Sequence, residues 1–256
     1  MKILVCMKQT FDTEAKIGLD SSGKINRQGV SLILNPYDEF AVEEALRIKE
    51  KHGGEVTVIS AGNPEVQDAL RQALAMGADK AVLISSEMEE IDEYTTATIL
   101  AKAISGMEYD LIWGGFRAVD DGSAQVAGRI AEILGIPVVK MVNQVEVGEN
   151  KAVATCEIEG GNEVIEVSLP AMLTAQKGLN EPRYPSMKGI MQAKKKPMEK
   201  KSLADLGMDV AQVAPKVKVL SFFMPSPRAA GKIIEGEVPE AATALVKALR
   251  EEAKIL

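Results

Sequence analysis

Residues 55–77 read EVTVISAGNPEVQDALRQALAMG, and this stretch decides the fold. Glu55 to Ala61 is a short, mostly apolar run with β-branched residues, the pattern of a strand buried on both faces. Gly62-Asn63-Pro64 interrupts it. Asn63 is a good helix N-cap and Pro64 suits a first turn, so a helix follows to about Met76, where Gly77 stops it. The same grammar recurs upstream. Lys2 to Met7 (KILVCM) reads as a buried strand, and Asn35-Pro36 opens a helix that runs to about His52 and ends at Gly53-Gly54. Phe40, Ala41, Ala45, Leu46 and Ile48 mark its inner side. Downstream, Lys80 to Ser85 is a third strand, Asp92 to Ile104 a helix and Tyr109 to Trp113 a fourth strand. Strands and helices alternating at this spacing predict an α/β fold, a parallel sheet with helices on both faces.

The remaining segments decorate that frame. Lys8 to Val30 is a polar excursion with a hairpin expected between Ile17 and Ile25. Further on, Val138–Val147, Lys151–Ile158 and Val164–Ser168 read as a β-meander, turned by Glu149-Asn150 and Gly160-Gly161. Pro170 to Ala175 is the last core strand. Ser202 to Gly207 reads as a short capped helix, Lys216 to Met224 as strand-like, Pro225 to Pro239 as extended and Ala241 to Ile255 as an amphipathic helix.

Composition narrows the function. With 46% hydrophobic residues but only 4% aromatic, the core is aliphatic. A net charge of -7 disfavours nucleic acid as a partner. No apolar run is long enough to span a bilayer, and Met1-Lys2-Ile3 opens into a strand pattern rather than a signal peptide. Cys6 and Cys156 lie in apolar surroundings without a second cysteine nearby, so buried free thiols and a cytoplasmic location are expected. The single histidine, His52, sits among charges, and neither HExxH nor CxxC spacing occurs. No metal site and no catalytic residue are expected from these patterns.

Two stretches hold residues that packing alone does not require. The first follows the fourth strand: Gly114-Gly115-Phe116-Arg117-Ala118-Val119-Asp120-Asp121-Gly122-Ser123, then a helix from Ala124 to Leu134. Glycines at a strand's carboxyl end let a ligand approach the backbone, and the new helix offers unpaired N–H groups to a phosphate. Ser123 can add a hydroxyl. An ordinary capped turn would read the same way. Ala61-Gly62 and Asn35-Pro36 are expected at the same end of the sheet, where open α/β sheets hold ligands. The second stretch is Leu179 to Pro197, LNEPRYPSMKGIMQAKKKP. Three prolines forbid one regular helix, yet Tyr184, Met187, Ile190 and Met191 are apolar. Either the loop folds back on its own core, or its apolar side chains meet another protein. The lysines Lys194, Lys195, Lys196, Lys200 and Lys201 read as a solvated face.

On these residues the chain resembles the beta subunit of electron transfer flavoprotein. LNEPRYPSMKGIMQAKKKP is similar to that family's signature and partner-recognition loop. NPYDEFAVEEALRIKE from Asn35, ALAMGADKA from Ala73 and EIEGG at Glu157 are similar in the same order. The resemblance implies a Rossmann-like fold of the adenine nucleotide alpha hydrolase-like kind, with a β-meander addition and an extended C-terminal arm. It implies residues 1–184 as a nucleotide-binding domain, 185–215 as recognition loop and linker, and 216–256 as an arm and helix packing on an alpha subunit. It further implies a heterodimer whose redox FAD is held mostly by alpha. Electrons would come from flavin dehydrogenases such as acyl-CoA dehydrogenases and pass to a membrane quinone reductase or another acceptor. AMP would be buried in this chain, or a second FAD in bifurcating members.

Carried over by position, the nucleotide site would use Cys6; Asn35, Pro36, Tyr37 and Asp38; Ala61; and Phe116, Arg117, Ala118, Val119, Asp120, Asp121, Gly122, Ser123, Ala124, Gln125 and Val126. Ala124 and Val126 replace polar residues of the AMP-binding form, and Ser123-Ala124-Gln125-Val126 is similar to FAD-binding relatives. The LNEPRY signature is closer to the AMP-type group. Met187 falls at the position of a leucine anchor, with Tyr184 and Ile190 beside it, and Glu157 at that of a glutamate meeting the flavin-carrying domain of alpha. The other class to weigh is an adenine-nucleotide enzyme or sensor of the same fold. An ATP pyrophosphatase would want SGGxDS after the first strand, where this chain has KQTFDT. A stress-type ATP binder would want G-x2-G-x9-G-S/T, which Gly115 to Ser123 does not fit.

Overall fold

The computed structural model describes all of the 256 residues except 87, 89, 90 and 229. Strand β1 (Lys2–Cys6) leads into the polar excursion, which holds β2 (Gln9–Phe11), β3 (Gly18–Leu19), β4 (Ile25–Asn26) and β5 (Leu32–Leu34). β2 pairs antiparallel with β5, and β3 with β4, so the expected hairpin is present. Helix α1 (Pro36–His52) follows, then β6 (Glu55–Gly62), a 3-10 turn at Pro64–Val66 and α2 (Gln67–Met76). Next come β7 (Lys80–Ser85), α3 (Glu93–Ile104), β8 (Leu111–Gly115) and α4 (Val126–Leu134). The meander is β9 (Val138–Val147), β10 (Lys151–Ile158) and β11 (Gly161–Ser168), followed by β12 (Ala171–Ala175). Then come α5 (Met187–Ala193), β13 (Met198–Ser202), a 3-10 turn at Ala204–Leu206 and α6 (Val238–Lys247).

Among the described residues nine strands form one sheet in the order β11-β10-β9-β12-β8-β1-β6-β7-β13. From β9 to β13 neighbours run parallel, and β10 and β11 are antiparallel. The chain starts at β1, moves outward through β6 and β7, and returns on the other side of β1 as β8. The order therefore reverses between β1 and β8, and the loops leaving their carboxyl ends diverge there. Alternation along β1 sends Ile3 and Val5 into one core layer, with Ala41, Ala45 and Leu46 of α1 and Leu70 and Leu74 of α2. Leu4 and Cys6 join the other, with Ile99 and Leu100 of α3 and Ile130 and Ala131 of α4. A parallel sheet covered on both faces is the architecture that the alternation predicts.

Three local readings need correction. Lys216–Met224 forms no strand; the backbone N–H groups of Lys216 and Val217 instead bond the Asp92 carboxylate at 2.6 and 3.0 Å. The sheet edge is taken by β13, whose sequence MEKKS has no apolar run. An outermost strand keeps charged residues without cost, which hides it from pattern reading. The terminal helix begins at Val238, three residues before the expected Ala241, because Pro239 fits a first helical turn. Of the expected extended stretch Pro225–Pro239, residue 229 lies outside the described residues.

The chain falls into two compact units, Met1–Ile17 with Asn26–Leu220, and Gly18–Ile25 with Ser221–Leu256. The first holds the nine-stranded sheet. The second holds α6 and the wider turn Ala248–Glu252 that extends it.

Candidate functional site

The carboxyl ends of β1 and β8 are tied together by the start of α1. Asn35 is the N-cap of that helix, as its sequence predicts, but its side chain makes no capping bond. Its Nδ2 donates to the Arg117 carbonyl at 3.0 Å, and its Oδ1 accepts from the Val119 N–H at 3.2 Å. Its backbone carbonyl takes the first helical N–H groups, those of Asp38 and Glu39. Asp38 works across the switch point. Oδ2 accepts from the Lys8 N–H at 2.7 Å and Oδ1 from the Gly115 N–H at 2.8 Å. One buried carboxylate thus ties the exits of β1 and β8 together. Burial pushes its carboxyl up to about 7, outweighing those two bonds.

A carboxyl raised in the folded state is protonated there while it is already ionised in the unfolded chain. Its contribution to stability is complete below the unfolded value and is lost as pH rises through about 7. Thermal melting followed from pH 5 to 8 is therefore expected to fall for the native chain. Asp38→Asn removes this component, so its curve should be flatter over that window; parallel curves would contradict the assignment.

The loop between β8 and α4 is shaped from both ends. Tyr37 meets Phe116 edge-on, ring centroids 6.2 Å apart, and Arg117 lies over both rings at 5.4 and 5.9 Å. The Arg117 guanidinium also donates to the Tyr37 hydroxyl at 3.2 Å. Lys8, which the sequence reading left out, bridges Asp120 and Asp121 at 2.8 and 2.7 Å. Burial lowers the Lys8 pKa, but the two carboxylates more than offset this and hold it above its ordinary value. Asp121 accepts the Ser123 N–H at 2.9 Å, and Gly122 (φ +64°) and Ala124 (φ +54°) turn the chain in the left-handed region. Ala124 is unusual there for a residue with a Cβ.

Helix α4 starts at Val126, two residues later than expected, because Ala124 and Gln125 complete the turn. It has no side-chain cap and no acidic residue in its first turn. Gln125 turns away, accepting from Arg129 at 2.7 Å. Val126, Ala127 and Gly128 therefore aim free N–H groups and the positive end of the dipole outward. Lys140 of β9 brings its ammonium to the same turn, 3.1 Å from where a Gly128 Cβ would stand. Lys140 carried no signal in the sequence, because only the sheet order brings it there.

The other expected residues are spread more widely. Ala61 is the last residue but one of β6, at the same carboxyl edge and one strand beyond β1. Cys6 is buried under Gly114, and burial followed by the nearby Asp38 pushes its thiol up to about 12, so it stays protonated. Cys156 is also a buried free thiol. Glu157 lies exposed on β10, in the meander half of the sheet. Tyr184, Met187 and Ile190 lie far from it in sheet order, since α5 packs on α2 and β13 pairs β7.

The loop from Leu179 to Pro197 does fold back on its own core. Its backbone is fastened to the core while its apolar side chains stay out: Tyr184 is 95% exposed and Met187 78%. Ser186 caps α5 through the Gly189 N–H at 3.0 Å. Gly189 lies so close to the Ala75 carbonyl of α2 that a Cβ has no room. Lys196, expected on a solvated face, instead donates to the Leu74 and Ala78 carbonyls at 2.9 and 2.6 Å, closing the end of α2.

The strand order defines a doubly wound α/β protein with the loop between β8 and α4 at its switch point. Residues 22–206 match the model of the electron transfer flavoprotein domain. The chain is 48% identical to the electron transfer flavoprotein subunit beta of Bacillus subtilis, with 100% of each chain covered. It is 40% identical to the caffeyl-CoA reductase-Etf complex subunit CarD of Acetobacterium woodii, covering 98% of both. It is 37% identical to the mouse electron transfer flavoprotein subunit beta, covering 92% of this chain and 93% of that one. The chain belongs to the electron transfer flavoprotein beta-subunit family, a family of electron carriers. Among the described residues no helix is long and apolar enough to cross a membrane, and no cluster of three or more acidic, His or Cys side chains is arranged to hold a metal.

Proposed function

We propose that this chain is the non-catalytic beta subunit of a cytoplasmic heterodimer that relays electrons from flavin dehydrogenases, of the acyl-CoA dehydrogenase type, to a quinone reductase or similar acceptor. An alpha subunit holds most of the FAD, which supplies the redox chemistry when bound. This chain binds AMP as a fixed structural group. The observation that carries the nucleotide reading is the uncapped first turn of α4 at the sheet's switch point, with the Lys140 ammonium beside it. Those donors suit a phosphate, and the left-handed turn at Gly122 and Ala124 opens the approach. Asn35, Asp38 and Lys8 spend their polar atoms on the loop, so they position it rather than touch the nucleotide.

A second FAD in the AMP position is the other reading, favoured by the apolar Ala124 and Val126 beside the phosphate seat. Acid extraction of the heterodimer, purified with its alpha subunit, separates them. One FAD and one AMP per heterodimer is the expected result. Two FAD and no AMP would overturn the AMP assignment and leave the carrier role standing.

A further inference from the structure

The segment Asn180–Arg183 is fastened to α1 at both of its ends. The Asn180 Nδ2 donates to the Phe40 carbonyl at 3.0 Å and to Glu44 at 2.9 Å. Arg183 does more. Its Nε and one terminal nitrogen grip both Glu43 oxygens at 2.8 and 3.0 Å. The guanidinium also spans Glu50 at 2.6 and 3.2 Å, and its own backbone N–H reaches Glu43 at 3.1 Å. Glu43 and Glu50 stand seven residues apart, two turns on one face of α1. A planar fork joined to two carboxylates along a helix has one orientation, which a point-charge ammonium cannot reproduce. The next residue, Tyr184, is 95% exposed, and Met187 follows three positions on.

We propose that Arg183 is a positioning residue for donor recognition: its double fork on α1 fixes the attitude of the exposed side chains of Tyr184 and Met187. This rests on the reading of that loop as the docking surface. A hook held in place before contact does not lose that freedom on binding, so the clamp lowers the donor concentration needed without touching the chemistry. The start of the same helix also ties the exit of β8 and its loop through Asn35 and Asp38, so α1 positions both segments.

The test uses the intact heterodimer, with an acyl-CoA dehydrogenase reduced by butyryl-CoA as the donor. Arg183→Lys keeps the charge and can satisfy only part of the fork; Glu50→Gln loosens the exposed half and leaves the buried Glu43 paired. Arg183→Lys is expected to raise KM for the donor about ten-fold and Glu50→Gln about two-fold, with kcat, FAD content and reduction by dithionite unchanged. An unchanged KM in Arg183→Lys, where Met187→Ala does raise it, overturns the clamp and spares the docking reading. An unchanged KM in both overturns both. A rise in KM accompanied by loss of FAD marks Arg183 as a general fold residue and also overturns the proposal.

Discussion

Gly115→Val is expected to lower stability by about 3 kcal/mol or more, a melting drop of roughly 10 °C. At that strand end a Cβ runs into the Asp38 carboxylate and stands 2.8 Å from the Tyr37 Cβ and 2.9 Å from the Asp38 N. The carboxylate is held by two hydrogen bonds, and the other two obstacles are backbone and the first carbon of a side chain. Pushing Asp38 away also strands the Lys8 and Gly115 N–H groups that it accepts. Gly114 is the comparison. Its Cβ would meet the Met172 Cε at 3.3 Å, the far tip of a flexible chain, so Gly114→Ala should cost far less. Thermal unfolding followed by circular dichroism measures both; equal melting for Gly115→Val and the native chain would contradict the packing described at the switch point.

Met187→Ala is expected to act on recognition and leave the fold alone. Met187 opens α5 with 78% of its surface exposed, so truncating it changes stability by no more than about 0.5 kcal/mol. A flexible apolar anchor entering a pocket on a partner carries about 2 kcal/mol or more, which is roughly 30-fold in affinity. Stopped-flow reduction of the heterodimer by a reduced dehydrogenase should slow by that order at limiting donor, with melting and flavin content unchanged. Loss of flavin would mean that the loop is structural.

Much of the fold is legible because its signals are local. Asn63-Pro64 and Asn35-Pro36 each end one strand run and begin a helix, and β7, α3 and β8 repeat the period. What was missed depends on distant partners. Lys8 looks like any residue after a strand until β8 brings Asp120 and Asp121 to it. Arg183 reaches Glu43 across 140 residues, and nothing periodic in either segment announces the pair. Asn35 takes the N-cap position its sequence announces, yet its side chain ties the loop, because a cap and a loop tie place the same side chain at the same helix start. The edge strand β13 escaped because outer strands do not need an apolar run.

The most direct test of the relay is flavin bleaching in the reconstituted pair. The chain is mixed with its alpha subunit and FAD, and a substrate-reduced dehydrogenase is added. The account predicts that the flavin of the pair is reduced within the mixing experiment and that this chain alone neither bleaches nor consumes nucleotide. Nucleotide hydrolysis by the chain alone, or a pair that never assembles, would contradict it.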